Sequence, residues 1–159
     1  LERQNGILLN VSSAAAILSS PQMGPYNAAK AALVSLSETL AGEYQNRVQV
    51  AVALPTFFSS GLLNSLAAPR AAREDAQRLS AESSYTAEQA AIHMLEGLAD
   101  HRFYILPPGR VRLAWWLKRA LPERFLRRLP RRRIARLARL RKQDALLGLL
   151  PGTTPSASH

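Results

Sequence analysis

Cysteine is absent from the 159 residues, which excludes structural disulfides, thiolate metal sites and cysteine nucleophiles. The three histidines, His93, His101 and His159, stand without the spacing that metal ligands require, so no metal is expected. No uncharged apolar run approaches the roughly 18 residues that cross a bilayer as a helix. Acids are scarce in one region only: from Arg102 to Lys142, fifteen Lys/Arg face Glu123 alone, while the rest of the chain carries six bases and ten acids. The net charge of +10 is thus local, a basic C-terminal extension on a slightly acidic body. An initiator methionine and a targeting pattern are missing as well. The chain opens at Leu1-Glu2-Arg3-Gln4-Asn5 and runs almost directly into an apolar strand, as if entered midway.

Gly6-Ile7-Leu8-Leu9-Asn10-Val11-Ser12-Ser13 is such a run, ending in small polar residues, the pattern of a strand buried on both faces of a parallel sheet. Beyond a loop broken by Pro21, Gly24 and Pro25, residues Tyr26 to Gln45 are rich in helix formers, and Ala29, Leu33, Leu36 and Leu40 recur at helical spacing. Val48 to Leu54 reads as a second buried strand stopped by Pro55. Strand, helix and strand in that order form a βαβ unit. Residues 55 to 85 read as an irregular segment with a short helix near Ser59 to Ala67. Thr86-Ala87-Glu88-Gln89 has the form of a capping box and opens a helix to about Asp100; Phe103 to Leu106 reads as a third strand stopped by Pro107-Pro108.

The fold class predicted is α/β with a doubly wound parallel sheet, followed by a basic helical extension. The divisions are residues 1–108 for the sheet-bearing part, 109–150 for the amphipathic extension and 151–159 for a disordered tail of low complexity.

Chemistry concentrates in the first unit. Tyr26 and Lys30, four residues apart near the start of a helix, project from one face about a turn from each other. Ser13 ends the preceding strand, and in open parallel sheets ligands gather beyond those strand ends. A free phenol, with a pKa of about 10, exchanges protons slowly near neutrality, and an ammonium beside a phenol favours the phenolate. Tyr26 is therefore the candidate that transfers a proton, Lys30 the residue that tunes it, and Ser13 the hydroxyl that holds the substrate oxygen.

The string Asn10-Val11-Ser12-Ser13-Ala14-Ala15-Ala16, then Pro21, then Tyr26-Asn27-Ala28-Ala29-Lys30-Ala31-Ala32-Leu33, resembles the serine strand and Tyr-x-x-x-Lys helix of the short-chain dehydrogenase/reductase family. The thirteen-residue step from Ser13 to Tyr26 also matches, which favours Ser13 over Ser12 as the catalytic serine. The resemblance covers residues 4 to 106, corresponding to the second half of the family's domain, and implies a Rossmann-like sheet. It further implies an NAD(P)-dependent oxidoreductase that interconverts an alcohol and a ketone or aldehyde by hydride transfer, with NADP slightly preferred to NAD. Tyr26 and Lys30 then also contact the cofactor, Lys30 at the nicotinamide ribose. Pro55, Thr56 and Phe57 map onto the cofactor-contacting turn, with Thr56 where the family more often has glycine and Ser59 or Ser60 as the candidate hydroxyl partner. Ser13, Phe57 and Phe58 face the substrate. The family's Gly-rich dinucleotide fingerprint and its helix-borne asparagine have no counterpart in this chain, so it is expected to be inactive by itself.

The family also implies a homo-oligomer, with the helix that begins at Tyr26 in the subunit interface. The expected partner is a small alcohol or carbonyl compound, lipophilic if the extension visits membranes. In that extension Trp115 and Trp116 sit among Arg110, Arg112, Lys118 and Arg119, and Ile134 and Leu137 among further arginines, a composition suited to a membrane interface over residues 109–142. Cytoplasmic location with contact to the inner face of a membrane follows from that reading. Nucleic acid is disfavoured, because no recognised reading module accompanies the charge. The competing reading is a non-catalytic relative whose basic tail binds a membrane surface or an anionic polymer.

Overall fold

The computed structural model describes residues 6–45, 47–58, 70–107 and 109–127, together with 138–139 and 142. Strand β1 (Gly6–Val11) leads through a short helix α1 (Ala15–Leu18) into the long helix α2 (Gly24–Glu43), which returns to β2 (Val48–Ala53). Helices α3 (Arg70–Ala81) and α4 (Ala87–Ala99) precede β3 (Tyr104–Ile105), and α5 (Arg110–Ala120) and α6 (Pro122–Arg127) follow. The strands pair in parallel in the order β1-β2-β3, with Gly6 opposite Val48, Val11 opposite Ala53, and Val52 opposite Tyr104.

The central strand decides where the core lies. Ala51, Val52, Ala53 and Leu54 are fully buried, and because successive side chains of a strand point to opposite faces they feed two clusters. Val52 and Leu54 pack with Val34 of α2 and Ile17 of α1, whereas Ala51 and Ala53 pack with Ile105 and with Met94 and Leu98 of α4. Helices therefore cover both faces of a parallel sheet, which is the Rossmann-like α/β arrangement.

Burial of β1 on both faces is not what the structure shows. Ile7 is 63% exposed and Val11 47%, since β1 has a single sheet neighbour among the described residues and only β2 is flanked on both sides. The helical spacing of Ala29, Leu33, Leu36 and Leu40 likewise marks the helix but not its packed face. Val34 and Ser37 are the buried residues of α2, and Leu36 is exposed.

The irregular segment expected over 55–85 is half helical: α3 occupies Arg70–Ala81, while the short helix near 59–67 lies outside the described residues. Ion pairs at i,i+4, Arg70–Glu74 and Arg78–Glu82, line the exposed side of α3, and buried Ala72 and Ala76 line the other. Helix α4 begins as predicted, with Thr86 and Gln89 in a reciprocal capping box. It ends in a Schellman turn. The Arg102 N–H donates to the Gly97 carbonyl at 2.9 Å and the His101 N–H to the Leu98 carbonyl at 3.0 Å, with His101 left-handed at φ 54°.

The extension starts as two helical pieces broken before Pro122, and the first is docked on the sheet domain. The Trp115 ring packs at a tilt against Tyr104, with centroids 5.3 Å apart, and the Lys118 ammonium donates to the Ile17 carbonyl at 2.5 Å. The apolar stripe around Ile134 and the tail from 151 lie outside the described residues.

Candidate active site at the carboxyl end of β1

The loops that leave β1 and β2 are stitched together by main-chain hydrogen bonds. The Ser12 N–H donates to the Ala53 carbonyl at 2.8 Å and the Ala14 N–H to the Pro55 carbonyl at 2.9 Å. Ser13 is thereby fixed between two anchored residues and beside the turn that carries Pro55, Thr56 and Phe57. Its hydroxyl oxygen accepts from the Ala15 N–H at 3.1 Å, which leaves the O–H available as a donor. The side chain is half-buried. Neighbouring Ser12 is buried, and its hydroxyl donates to the Lys30 carbonyl at 2.8 Å, tying the strand end to α2.

Helix α2 delivers the other two groups. The Lys30 ammonium donates to the Val11 carbonyl at 3.2 Å and lies 5.9 Å from the centroid of the Tyr26 ring. One cation therefore touches both the end of β1 and the face of the phenol. Tyr26 is half-buried against Met23 and Ala72, so the first turn of α3 forms part of its wall. This contact had no signal in the sequence beyond the helix-forming composition of α3.

The other predicted positions fall around this centre. Pro55 is buried and its carbonyl is used by Ala14, while Thr56 and Phe57 are half-buried. Phe58 is partly committed to packing: its ring meets Tyr85 edge-on at 6.5 Å, and its carbonyl accepts from the Ser80 hydroxyl at 2.8 Å. Burial raises the Tyr85 pKa above its ordinary value. Ser59 and Ser60 lie outside the described residues.

Three polar features near the site were not read from the sequence. The Asn27 amide donates to the Ser20 carbonyl at 2.7 Å, holding the loop before α2, while its own carbonyl oxygen is buried without a partner. The Gln22 side-chain oxygen is in the same condition, on a residue whose φ is 61°. Behind the site, Asn10 donates to the buried Ser37 hydroxyl at 2.9 Å, and that hydroxyl donates to the Leu33 carbonyl at 2.7 Å. This polar tie fixes α2 on β1, and with it the position of Lys30.

The donor set suits the nicotinamide-ribose end of a dinucleotide, since an ammonium and hydroxyls can hydrogen-bond sugar hydroxyls and a substrate oxygen together. Among the described residues, no group of His, Cys, Asp or Glu could hold a metal ion.

A parallel sheet covered by helices on both faces defines a Rossmann-like α/β protein. Comparison with known proteins narrows this class. Residues 1–71 match the family model described as short chain dehydrogenase. The 11-beta-hydroxysteroid dehydrogenase-like 4A of Arabidopsis thaliana is 28% identical over 123 residues, 77% of this chain and 40% of that protein. The 11-beta-hydroxysteroid dehydrogenase 1A of the same plant is 40% identical over 62 residues, 39% of this chain and 18% of that one. A short-chain dehydrogenase/reductase from Burkholderia phymatum, solved in complex with NAD, superposes with a TM-score of 0.61 at 27% identity over 98% of this chain and 53% of its own. The chain is thus similar to the short-chain dehydrogenase/reductase family, by its sequence over residues 1–71 and by its fold. It spans about 40% of the length of the first of these curated relatives.

Proposed function

We propose that this chain supplies the proton-transfer half of an NAD(P)-dependent oxidoreductase that interconverts an alcohol and a ketone or aldehyde. The observation that carries the proposal is the position of Lys30, which donates to the Val11 carbonyl at 3.2 Å while lying 5.9 Å from the Tyr26 ring centroid. The ammonium is thereby anchored where the serine strand ends. In the oxidising direction the Ser13 hydroxyl holds the substrate oxygen and the Tyr26 oxygen takes the alcohol proton. Lys30, held over the phenol ring, offers its remaining N–H groups to a ribose hydroxyl. Bound nicotinamide would take the hydride from the carbon that bears that oxygen, so a hydride and one separate proton leave as the C=O bond forms. In the reducing direction Tyr26 returns the proton.

Pro55, Thr56 and Phe57 line the cofactor side in this reading, and Ser13, Phe57 and Phe58 the substrate side. The cofactor is NADP or NAD: the family resemblance leans to NADP, and the Burkholderia neighbour holds NAD. The relatives named as hydroxysteroid dehydrogenases support a bulky lipophilic alcohol as the substrate class. Self-association through α2 belongs to the same proposal, supported by the exposure of Leu36 on a 20-residue helix whose buried residues are Val34 and Ser37. Cytoplasmic action is proposed with it; no described helix is long and apolar enough to cross a membrane.

The test is turnover of lipophilic secondary alcohols with NAD and NADP, followed by reduced-nicotinamide absorbance, in a polypeptide that supplies both halves of the domain. Ser13→Ala and Lys30→Met should each lower kcat by at least about a hundredfold. Cofactor binding without turnover by the parent would leave the non-catalytic reading in its place, and full turnover by either variant would refute the role given to that residue.

A further inference from the structure

Helix α5 carries two apolar stripes where a surface helix needs one. Val111, Ala114, Trp115 and Lys118 are half-buried and form its inward side. This side is fixed by the Trp115–Tyr104 contact at 5.3 Å and by the Lys118 hydrogen bond to the Ile17 carbonyl at 2.5 Å. On the opposite side Leu113, Trp116, Leu117 and Ala120 recur at i, i+3, i+4 and i+7, and the three large ones are 62%, 56% and 46% exposed. Leu121 and Leu126 continue the exposed apolar surface into α6. At about 100° per residue, Arg112 falls along one border of the outward stripe and Arg110 along the other. Among the described residues neither arginine is paired with an acid, and Glu123 is the sole acid of α5 and α6.

We propose that the outward face of α5 is a docking surface for an anionic lipid bilayer. An apolar stripe with a tryptophan, bordered on both sides by unpaired arginines, matches acyl chains below a layer of negative headgroups. Charge argues against a second copy of the chain, since an isologous contact would set arginine borders against each other with little acid to compensate. The apolar stripe argues against nucleic acid, which would have to accept a row of apolar side chains in place of hydrogen-bonding groups. The proposal stands apart from the catalytic reading.

Co-sedimentation of the protein with vesicles tests it without any activity readout. Vesicles of phosphatidylglycerol mixed with phosphatidylcholine should bind at least about tenfold better than phosphatidylcholine alone, and added salt should weaken the binding. The double substitution Trp116→Asp/Leu117→Asp should reduce binding to the anionic vesicles by at least about tenfold, and Arg110→Gln and Arg112→Gln by about fivefold each. These side chains already face water, so melting temperature should change little. Leu95→Asp, at a position on α4 that is 65% exposed, should bind as the parent does. Failure of the parent to bind, equal binding to both vesicles, or full binding by the Trp116/Leu117 variant overturns the proposal. So does lipid-free dimerisation that this variant abolishes, which would assign the face to a second copy.

Discussion

Gly97→Ala places one methyl group where the chain has no room for it. A Cβ at this position would lie 2.7 Å from Cγ2, 2.8 Å from Cγ1 and 2.9 Å from Cδ1 of Ile105. Because both branches of the isoleucine are met at once, no rotation about its χ1 clears the methyl. Ile105 is 2% exposed and held between Ala51, Ala53, Met94 and Leu98, so relief requires α4 to shift from β3. Overpacking of this kind costs about 1–3 kcal/mol, and alanine returns about 1 kcal/mol of helix propensity. Contact with three atoms places the cost toward the upper end, for a net loss of about 1–2 kcal/mol. Urea denaturation followed by circular dichroism reads that loss directly. A second background makes the reasoning sharper. Ile105→Ala removes all three clashing atoms, at an expense of about 2–5 kcal/mol by itself, so adding Gly97→Ala to it should stabilise by about 1 kcal/mol. A stabilising osmolyte keeps the weakened background folded during the measurement. If Gly97→Ala destabilises equally in both backgrounds, the close approach of α4 to β3 is not its cause.

Two further outcomes follow from the same region. His101→Gly should stabilise the fold by about 0.5–1 kcal/mol, because His101 holds the left-handed position of the Schellman turn at φ 54° and glycine adopts it without a Cβ clash; a loss of stability in urea would contradict this. Tyr104, half-buried between Phe103 and Trp115 and donating to Glu38, has its pKa pushed up to about 12, first by desolvation and then by that hydrogen bond. Its folded pKa lies above the unfolded value of about 10, so its contribution is complete below that pH and is lost as pH rises toward 12. In a phenolate-absorbance titration Tyr104→Phe should remove the highest step and flatten the alkaline fall in stability; an unchanged titration would refute the assignment.

How much of this was legible in the sequence depended on whether a residue's role was local. The βαβ order, the Thr86 capping box and the Ser13, Tyr26 and Lys30 string are short-range patterns, and helix and strand periodicity exposes them. Which face of α2 is packed is not local. The Asn10–Ser37 hydrogen bond turns the helix so that Val34 and Ser37 are buried, and a serine at a buried helical position carries no hydrophobic signal. Helix α3 was missed because polar Arg, Glu, Asp and Gln residues interrupt its apolar pattern; its i,i+4 ion pairs were the usable clue. The basic extension was legible as charge. That its first helix leans on β3 through Trp115 and Tyr104, with a second apolar stripe left outward, required the tertiary arrangement.

The central claim concerns the phenol of Tyr26, and single-turnover kinetics of Tyr26→Phe in the polypeptide that carries both halves of the domain tests it most directly. The account predicts that reduced-cofactor binding, followed by its fluorescence, stays within about threefold of the parent, while the hydride-transfer rate falls by at least about a thousandfold. A variant that transfers hydride at the parental rate would contradict it.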